Sequence, residues 1–239
     1  MMKNIIALTF ALLSALRADS LLHDEFTGNS LDTSKWSIGS EITGSSVAVE
    51  NGYFQMVNGG AIISKNTFLE PYVLNTRFQL ADNSYTNIHF VLRTDGSMYY
   101  NSRKGIDVRL HHSTDWEGQK YQLAIQESGN SNPSPISIVL STTLLNLNTW
   151  YDLKVVDNLT SVDLYFNGST LPSLSLESSF SAGGGLAILN REGGPAGGWI
   201  SNNGVARVDY VDVQPVPEPS SLSLLALGGV VAALGRRKK

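Results

Sequence analysis

The chain is 239 residues long, 42% hydrophobic and only 16% charged, which is too apolar for disorder and long enough for a real core in one or two domains. It contains no cysteine, so disulfide scaffolds, thiolate zinc sites, iron–sulfur clusters and cysteine nucleophiles are excluded, and any chemistry falls to carboxylates, hydroxyls, imidazoles or a hard cation. Residues 1–18 and 218–239 hold six of the 17 basic residues but one of the 21 acidic ones, so the body between them carries −9 rather than the −4 of the whole chain, a poor match to nucleic acid phosphates.

At the start, Lys3 precedes an apolar run from Ile5 to Leu16, and Ala18 leads into the polar Asp19-Ser20. This charged, apolar, small-residue order predicts a secretory signal peptide over residues 1–18, with a mature chain beginning near Asp19. Leu16 sits two before Ala18 where a small residue is usual, which leaves cleavage after Ala15 as the second site and a buried first helix as the second structure.

From 19 to 214 no long segment shows apolar residues at helical spacing, whereas two-residue alternation bounded by Gly, Asn, Asp, Ser and Pro recurs, the pattern of all-β folding. Residues 88–93 and 106–111 alternate apolar and polar side chains, and so do 121–127. Residues 151–157 and 162–166 read as a hairpin across Asn158-Leu159-Thr160-Ser161, with a further turn at Asn167-Gly168. Strands at this density over one stretch without a linker predict one sandwich or jelly roll, residues 19–214. Gly183-Gly184-Gly185 and Gly193-Gly194-Pro195 lack the strand-to-helix context of a phosphate loop and read as turns.

The end of the chain is Val216-Pro217-Glu218-Pro219-Ser220-Ser221, an apolar stretch from Leu222 to Gly235, and four consecutive cations. Pro217 and Pro219 block a helix until Ser220, which can cap the one that follows. That helix is short: about 14 apolar residues span roughly 21 Å, less than a hydrocarbon core of about 30 Å. Residues 215–239 closely resemble the PEP-CTERM sorting signal of Gram-negative, exopolysaccharide-producing bacteria. The resemblance implies an exosortase-type enzyme that reads Pro217, Glu218 and Pro219, transient inner-membrane contact through the helix, and delivery to the outer surface or extracellular matrix. A permanent tail anchor is the other reading.

Three stretches of the body carry a second resemblance. Asp24-Glu25-Phe26-Thr27-Gly28-Asn29-Ser30-Leu31-Asp32-Thr33-Ser34-Lys35-Trp36, the segments 148–155 and 162–168, and the ending Val208-Asp209-Tyr210-Val211-Asp212-Val213 resemble concanavalin A-like domains, including family-16 glycoside hydrolases and laminin G-like modules. The expected fold is therefore an all-β, concanavalin A-like jelly-roll sandwich of two antiparallel sheets, flanked by an N-terminal signal helix and a short C-terminal apolar helix. By the same resemblance, a structural Ca2+ is expected at Asp209, near Glu25 and Asn51-Gly52; its alternative is a plain ion pair between Asp209 and a cation such as Arg207.

A fold of this kind hosts lectins, hydrolases and scaffolds alike, so the site must decide. Retaining glycosidases need two carboxylates about 5–5.5 Å apart, which family-16 enzymes carry on one strand as Glu-x-Asp-x-(x)-Glu. The nearest match here is Gly105-Ile106-Asp107-Val108-Arg109-Leu110-His111: Gly105 stands where the nucleophile belongs, and Arg109 or Leu110 replaces the second Glu. The chain is accordingly expected not to be an enzyme. With Ile106, Val108 and Leu110 turned into the core, Asp107, Arg109 and His111 form a polar stripe, with Arg93 and His89 on a neighbouring strand. Arg93, Asp107, Arg109 and His111, with Trp116 for stacking, are the candidate carbohydrate-binding residues, because sugars call for flat rings and planar hydrogen-bonding groups. His111 and His112, being adjacent on a strand, face opposite ways and do not chelate one ion together. The expectation is a secreted, surface-sorted, non-catalytic domain associated with extracellular polysaccharide; the alternatives are a family-16-like glycoside hydrolase and a protein-contacting adhesion or scaffold domain.

Overall fold

A computed structural model describes residues 19–40, 45–81, 87–96, 104–111, 121–128, 136–141, 145–178, 180, 183–190 and 204–216. The expected signal helix and C-terminal apolar helix, and Trp116, lie outside these residues. Every regular element described is a strand: β1 (Leu22–Asp24), β2 (Trp36–Ser40), β3 (Ser46–Glu50), β4 (Tyr53–Val57), β5 (Gly60–Ser64), β6 (Tyr72–Ala81), β7 (Asn87–Thr94), β8 (Gly105–His111), β9 (Tyr121–Ser128), β10 (Ile136–Ser141), β11 (Trp150–Asp157), β12 (Ser161–Phe166), β13 (Leu174–Glu177), β14 (Gly185–Leu189) and β15 (Val205–Pro215).

They form two antiparallel sheets. The eight-stranded one runs β13-β12-β11-β6-β15-β4-β3, with β1 added beside β15, and the seven-stranded one runs β10-β9-β8-β7-β14-β5-β2. The strands expected from alternation are all present, and β11 and β12 pair as a hairpin with Asp157 opposite Val162. Their inward residues, among them Phe54, Leu74, Phe78, Ile88, Phe90, Ile106, Val108, Leu110, Leu164 and Val208, make one buried core between the sheets. Phe78 is central, with ring centroids 6.3 Å from Phe90, 5.8 Å from Tyr151 and 6.4 Å from Phe166.

The opening Asp24…Trp36 pattern has a physical reason. The Trp36 ring is buried, and its indole N–H donates to Asp24 Oδ2 at 2.8 Å while the Phe26 amide donates to Asp24 Oδ1 at 2.9 Å. One carboxylate thus satisfies two donors that burial would otherwise strand, and it locks the turn in which Phe26 adopts φ 48°. The β3–β4 hairpin turns at Asn51-Gly52 with φ 54° and 79°, both left-handed, which suits a tight two-residue loop.

Last strand β15 is the frame for both ends of the domain. It pairs with β6 along nearly its whole length, and on its other side with β4 through Val208 and with β1 from Val211 onward. Beyond it, the Val216 amide donates to the Pro71 carbonyl at 2.9 Å.

Candidate functional site

The polar stripe expected on β8 forms in part. Asp107 and Arg109 project from the outer face of the seven-stranded sheet, because Ile106, Val108 and Leu110 alternate with them into the core. His89 of β7 joins them: its Nδ1 lies 2.9 Å from Asp107 Oδ1, and both side chains are buried, at 3% and 0% exposure. Gln126 of β9 stands opposite Asp107 in register and is buried as well. Arg109 is only partly buried, and its Nε lacks a hydrogen-bond partner. His111 ends the strand opposite Asn87 and Gln122. On β5, β14 and the near side of β7 the same face becomes apolar, with Ala61, Val91, Ala187 and Leu189 fully buried against Ile63.

Arg93 is not in this stripe, which corrects the expectation from alternation. Two residues of β7, Leu92 and Arg93, oppose the single Leu186 of β14, since Gly185 pairs with Thr94 and Ala187 with Val91. Arg93 takes a left-handed φ of 55° at this bulge, and the added residue breaks the period of two. Its side chain enters the space between the sheets. There Nε and Nη2 donate to the two oxygens of Asp157 on β11, at 2.9 and 2.5 Å, and Nη1 donates to the Phe180 carbonyl at 2.7 Å. This bidentate pair ties one sheet to the other. Beside it lies Tyr72, whose hydroxyl approaches Asp157 without making a hydrogen bond of standard geometry. Burial, and after it the charge of Asp157, hold that phenol well above its usual range, with Arg93 pulling partly back.

Gly105, which stands where the resemblance expects a nucleophile, leaves no room for a side chain. Gly105 has φ 143°, and a Cβ there would lie 2.4 Å from the Leu92 carbonyl oxygen. Replacing the glycine therefore means moving β7 as well as changing a residue.

Asp209 occupies a second bulge. β15 shifts register against β6 between Val208 and Tyr210, leaving Asp209 as the extra residue. On the far side, among the described residues, the strand has no partner between Val208, the last to pair with β4, and Val211, the first to pair with β1. The resulting gap is a cavity of about 410 Å³ lined by His23, Glu25, Thr27, Gly52, Asp209, Tyr210 and Asp212. The structure thus brings together the segments that the sequence associates with Asp209. Its ion-pair partner is Arg77, with Nη1 3.6 Å from Oδ2, and Arg207 instead donates to Gln55 and Gln79. His23 sits 3.5 Å from Glu25 and 3.3 Å from Asp212. Burial raises the Tyr210 phenol above its usual range, helped by the charges of Asp152, Asp209 and Asp212 and opposed by Arg77. Among the described residues no group of three His, Asp or Glu side chains is arranged to hold a metal ion. The lining brings carboxylates of Glu25, Asp209 and Asp212 to one gap, oxygen donors of the kind a hard cation takes.

The fold is that of concanavalin A-like β-glucanases. A β-glucanase of Bacillus licheniformis shares 12% identity with a TM-score of 0.60, over 82% of this chain and 98% of that one. A β-1,3-glucanase of Mycobacterium marinum shares 14% with a TM-score of 0.59, over 82% and 99%. A protein of Mycobacterium tuberculosis described as a pseudo β-1,3-glucanase shares 14% with a TM-score of 0.62, again over 82% and 99%. No curated protein matches the sequence. Residues 215–239 match the PEP-CTERM protein-sorting motif, so the chain is a sorting-tagged protein, and the motif implies export to the surface or exterior of a Gram-negative cell. Its first residue, Pro215, is also the last residue of β15.

Proposed function

We propose that this is a non-catalytic concanavalin A-like domain, held at or released from the cell surface by its tail, that associates with extracellular polysaccharide. What carries the reading is Gly105: where retaining glycosidases of this fold place a nucleophile, the backbone of β7 leaves no room for a side chain, and the neighbouring Arg109 offers a cation in place of the second acid. An acid–nucleophile couple is needed for the retaining mechanism, whereas a partly exposed guanidinium beside a buried Asp107–His89–Gln126 bed suits hydrogen bonding to sugar hydroxyls. His111 and Trp116 remain candidate sugar contacts from the sequence in this reading. The partners are a polysaccharide of the matrix, an exosortase-type enzyme acting at Pro217-Glu218-Pro219, and the inner membrane during transit.

A structural Ca2+ at Asp209 belongs to the same reading. Bound with main-chain oxygens of the Glu25 and Gly52 segments, it supplies fixed positive charge that joins first and last strands; it takes no part in chemistry. Asp209 is the ligand that the bulge presents.

A glycan array combined with a reducing-sugar assay on the purified chain tests the proposal. Retention on one or more matrix polysaccharides with no release of reducing ends is the expected outcome, and Arg109→Ala weakens the retention. Steady production of reducing ends that tracks the protein through purification overturns it.

A further inference from the structure

The outer face of the eight-stranded sheet holds a row of side chains that the proposal above does not use. In register across four neighbouring strands stand Gln55 on β4, Arg207 on β15, Gln79 on β6 and Trp150 on β11. Their order is set by strand pairing alone, since they come from four separate parts of the chain. Neighbouring strands lie about 4.8 Å apart, a step close to one pyranose of an extended glycan.

The row is already ordered. Arg207 donates from Nε to Gln55 Oε1 at 2.9 Å and from Nη1 to Gln79 Oε1 at 2.8 Å, and Gln55 Nε2 donates on to Glu50 at 2.9 Å. Gln79, at 6% exposure, forms the floor. Two half-buried rings stand over it: Tyr53 and Trp150 have centroids 6.1 Å apart, with Arg207 5.2 Å from the Tyr53 ring and Arg77 5.7 Å from the Trp150 ring. Arg77 is held in turn between Asp152 at 3.8 Å and Asp209 at 3.6 Å.

An ordinary solvated face carries long side chains that keep their rotamer freedom. Here two guanidiniums are fixed on carboxamides, carboxylates and rings, so a ligand meets planar donors and aromatic surface whose ordering entropy has been lost beforehand. The charges nearly balance, with Arg77 and Arg207 against Glu50, Asp152 and Asp209. That balance disfavours a polyanion, and rings beside planar amides favour a neutral one with hydroxyl edges and apolar ring faces.

We propose that this face binds an uncharged polysaccharide running across the strands, its sugar rings against Tyr53 and Trp150 and its hydroxyls on Arg207 and Gln55, with Gln79 holding Arg207 from beneath. The inference rests on the reading that the domain associates with polysaccharide, and it adds a contact on the opposite side of the sandwich from Arg109.

Affinity electrophoresis of the full chain tests it, with a soluble neutral β-glucan in one gel and acidic alginate in another. In the neutral gel the double variant Tyr53→Ala/Trp150→Ala should lose about tenfold or more in apparent affinity, which corresponds to about 1.4 kcal/mol, and Arg207→Ala should lose several-fold. Unchanged retention of the double variant, while Arg109→Ala loses its own, overturns this site and leaves the general proposal standing. Retention on alginate alone overturns the assignment to a neutral glycan. Failure of the unaltered chain to be retained by any polysaccharide overturns both. Because alanine at two aromatic positions can disturb folding, hydroxyl-radical footprinting of the unaltered chain gives a second measurement: glucan should protect residues 53 and 150 by several-fold, and equal labelling with and without glucan counts against the site.

Discussion

The two sheets present contrasting outer faces. On the seven-stranded sheet, Ala61, Val91, Ala187 and Leu189 are fully buried, His89 and Asp107 are buried too, and among the described residues of that face Arg109 is the charged group that stays partly open. On the eight-stranded sheet, Tyr53, Trp150, Arg77 and Arg207 all keep surface, and their polar atoms are arranged in rows by strand register. On the seven-stranded sheet the backbone of β7 leaves no room for a side chain at Gly105. The opposite face is the one with rings and planar donors in reach of a ligand. Shared fold therefore does not assign a shared working surface.

The comparison presumes a rigid sandwich, and the strongest way to break it is through the interior. Arg93→Ala leaves Asp157 buried without its partner, and loss of one member of a buried pair costs about 3–5 kcal/mol. Urea denaturation followed by fluorescence should show that loss, and both faces should fail together. A replacement of the pair by apolar residues, Arg93→Met with Asp157→Leu, should recover much of it.

Gly105→Ala sharpens the contrast more locally. The left-handed backbone and the Leu92 carbonyl in its path predict a destabilisation of about 1–3 kcal/mol, or a fall in Tm of a few degrees. Gly105→Glu should cost at least as much and should not create hydrolytic activity in a reducing-sugar assay.

Alkaline pH probes the region beneath both faces. Since the folded state holds the Tyr72 phenol above its usual value of about 10, the unfolded chain releases that proton first, and stability falls as pH rises past about 10. Below that the proton is bound in both states and the contribution is fully present. Thermal melts of Tyr72→Phe across this range should decline less steeply than those of the unaltered chain.

The smallest effect is expected at the surface. Asp152→Ala removes a pair with Arg77 that is 3.8 Å long and largely exposed, so stability should change by less than about 1 kcal/mol. The same variant frees Arg77 and makes the glycan row more positive, which retention in the alginate gel would register as a modest gain.

Much of the scaffold was readable from residue order. β8, β9, β11 and β12 alternate because one side of each packs on the core and the other carries polar groups, while β7 departs from the pattern at Val91, an apolar residue on the outer face. β5 was harder to read: Gly60-Ala61-Ile62-Ile63-Ser64 is buried on both sides, so no alternation survives. The Asn51-Gly52 turn signal was available between β3 and β4, where the flanking strands are short. Arg93 misled because alternation assumes one residue per partner, and the β7 bulge adds one. The signals for His89 as partner of Asp107 were weak, since diagonal neighbours on two strands depend on a register that spacing alone does not disclose.

By itself the sequence determined the class of the body, the sorting tail and the absence of thiol chemistry, because side-chain period, proline placement and composition are local properties. Only the tertiary structure decided that Arg93 turns inward, that Asp209 sits in a gap beside Glu25 and Gly52, and that Gln55, Arg207, Gln79 and Trp150 stand in line. Each of these follows from hydrogen-bond register between strands far apart in the chain, and a shift of one residue in that register sends every side chain of a strand to the opposite face.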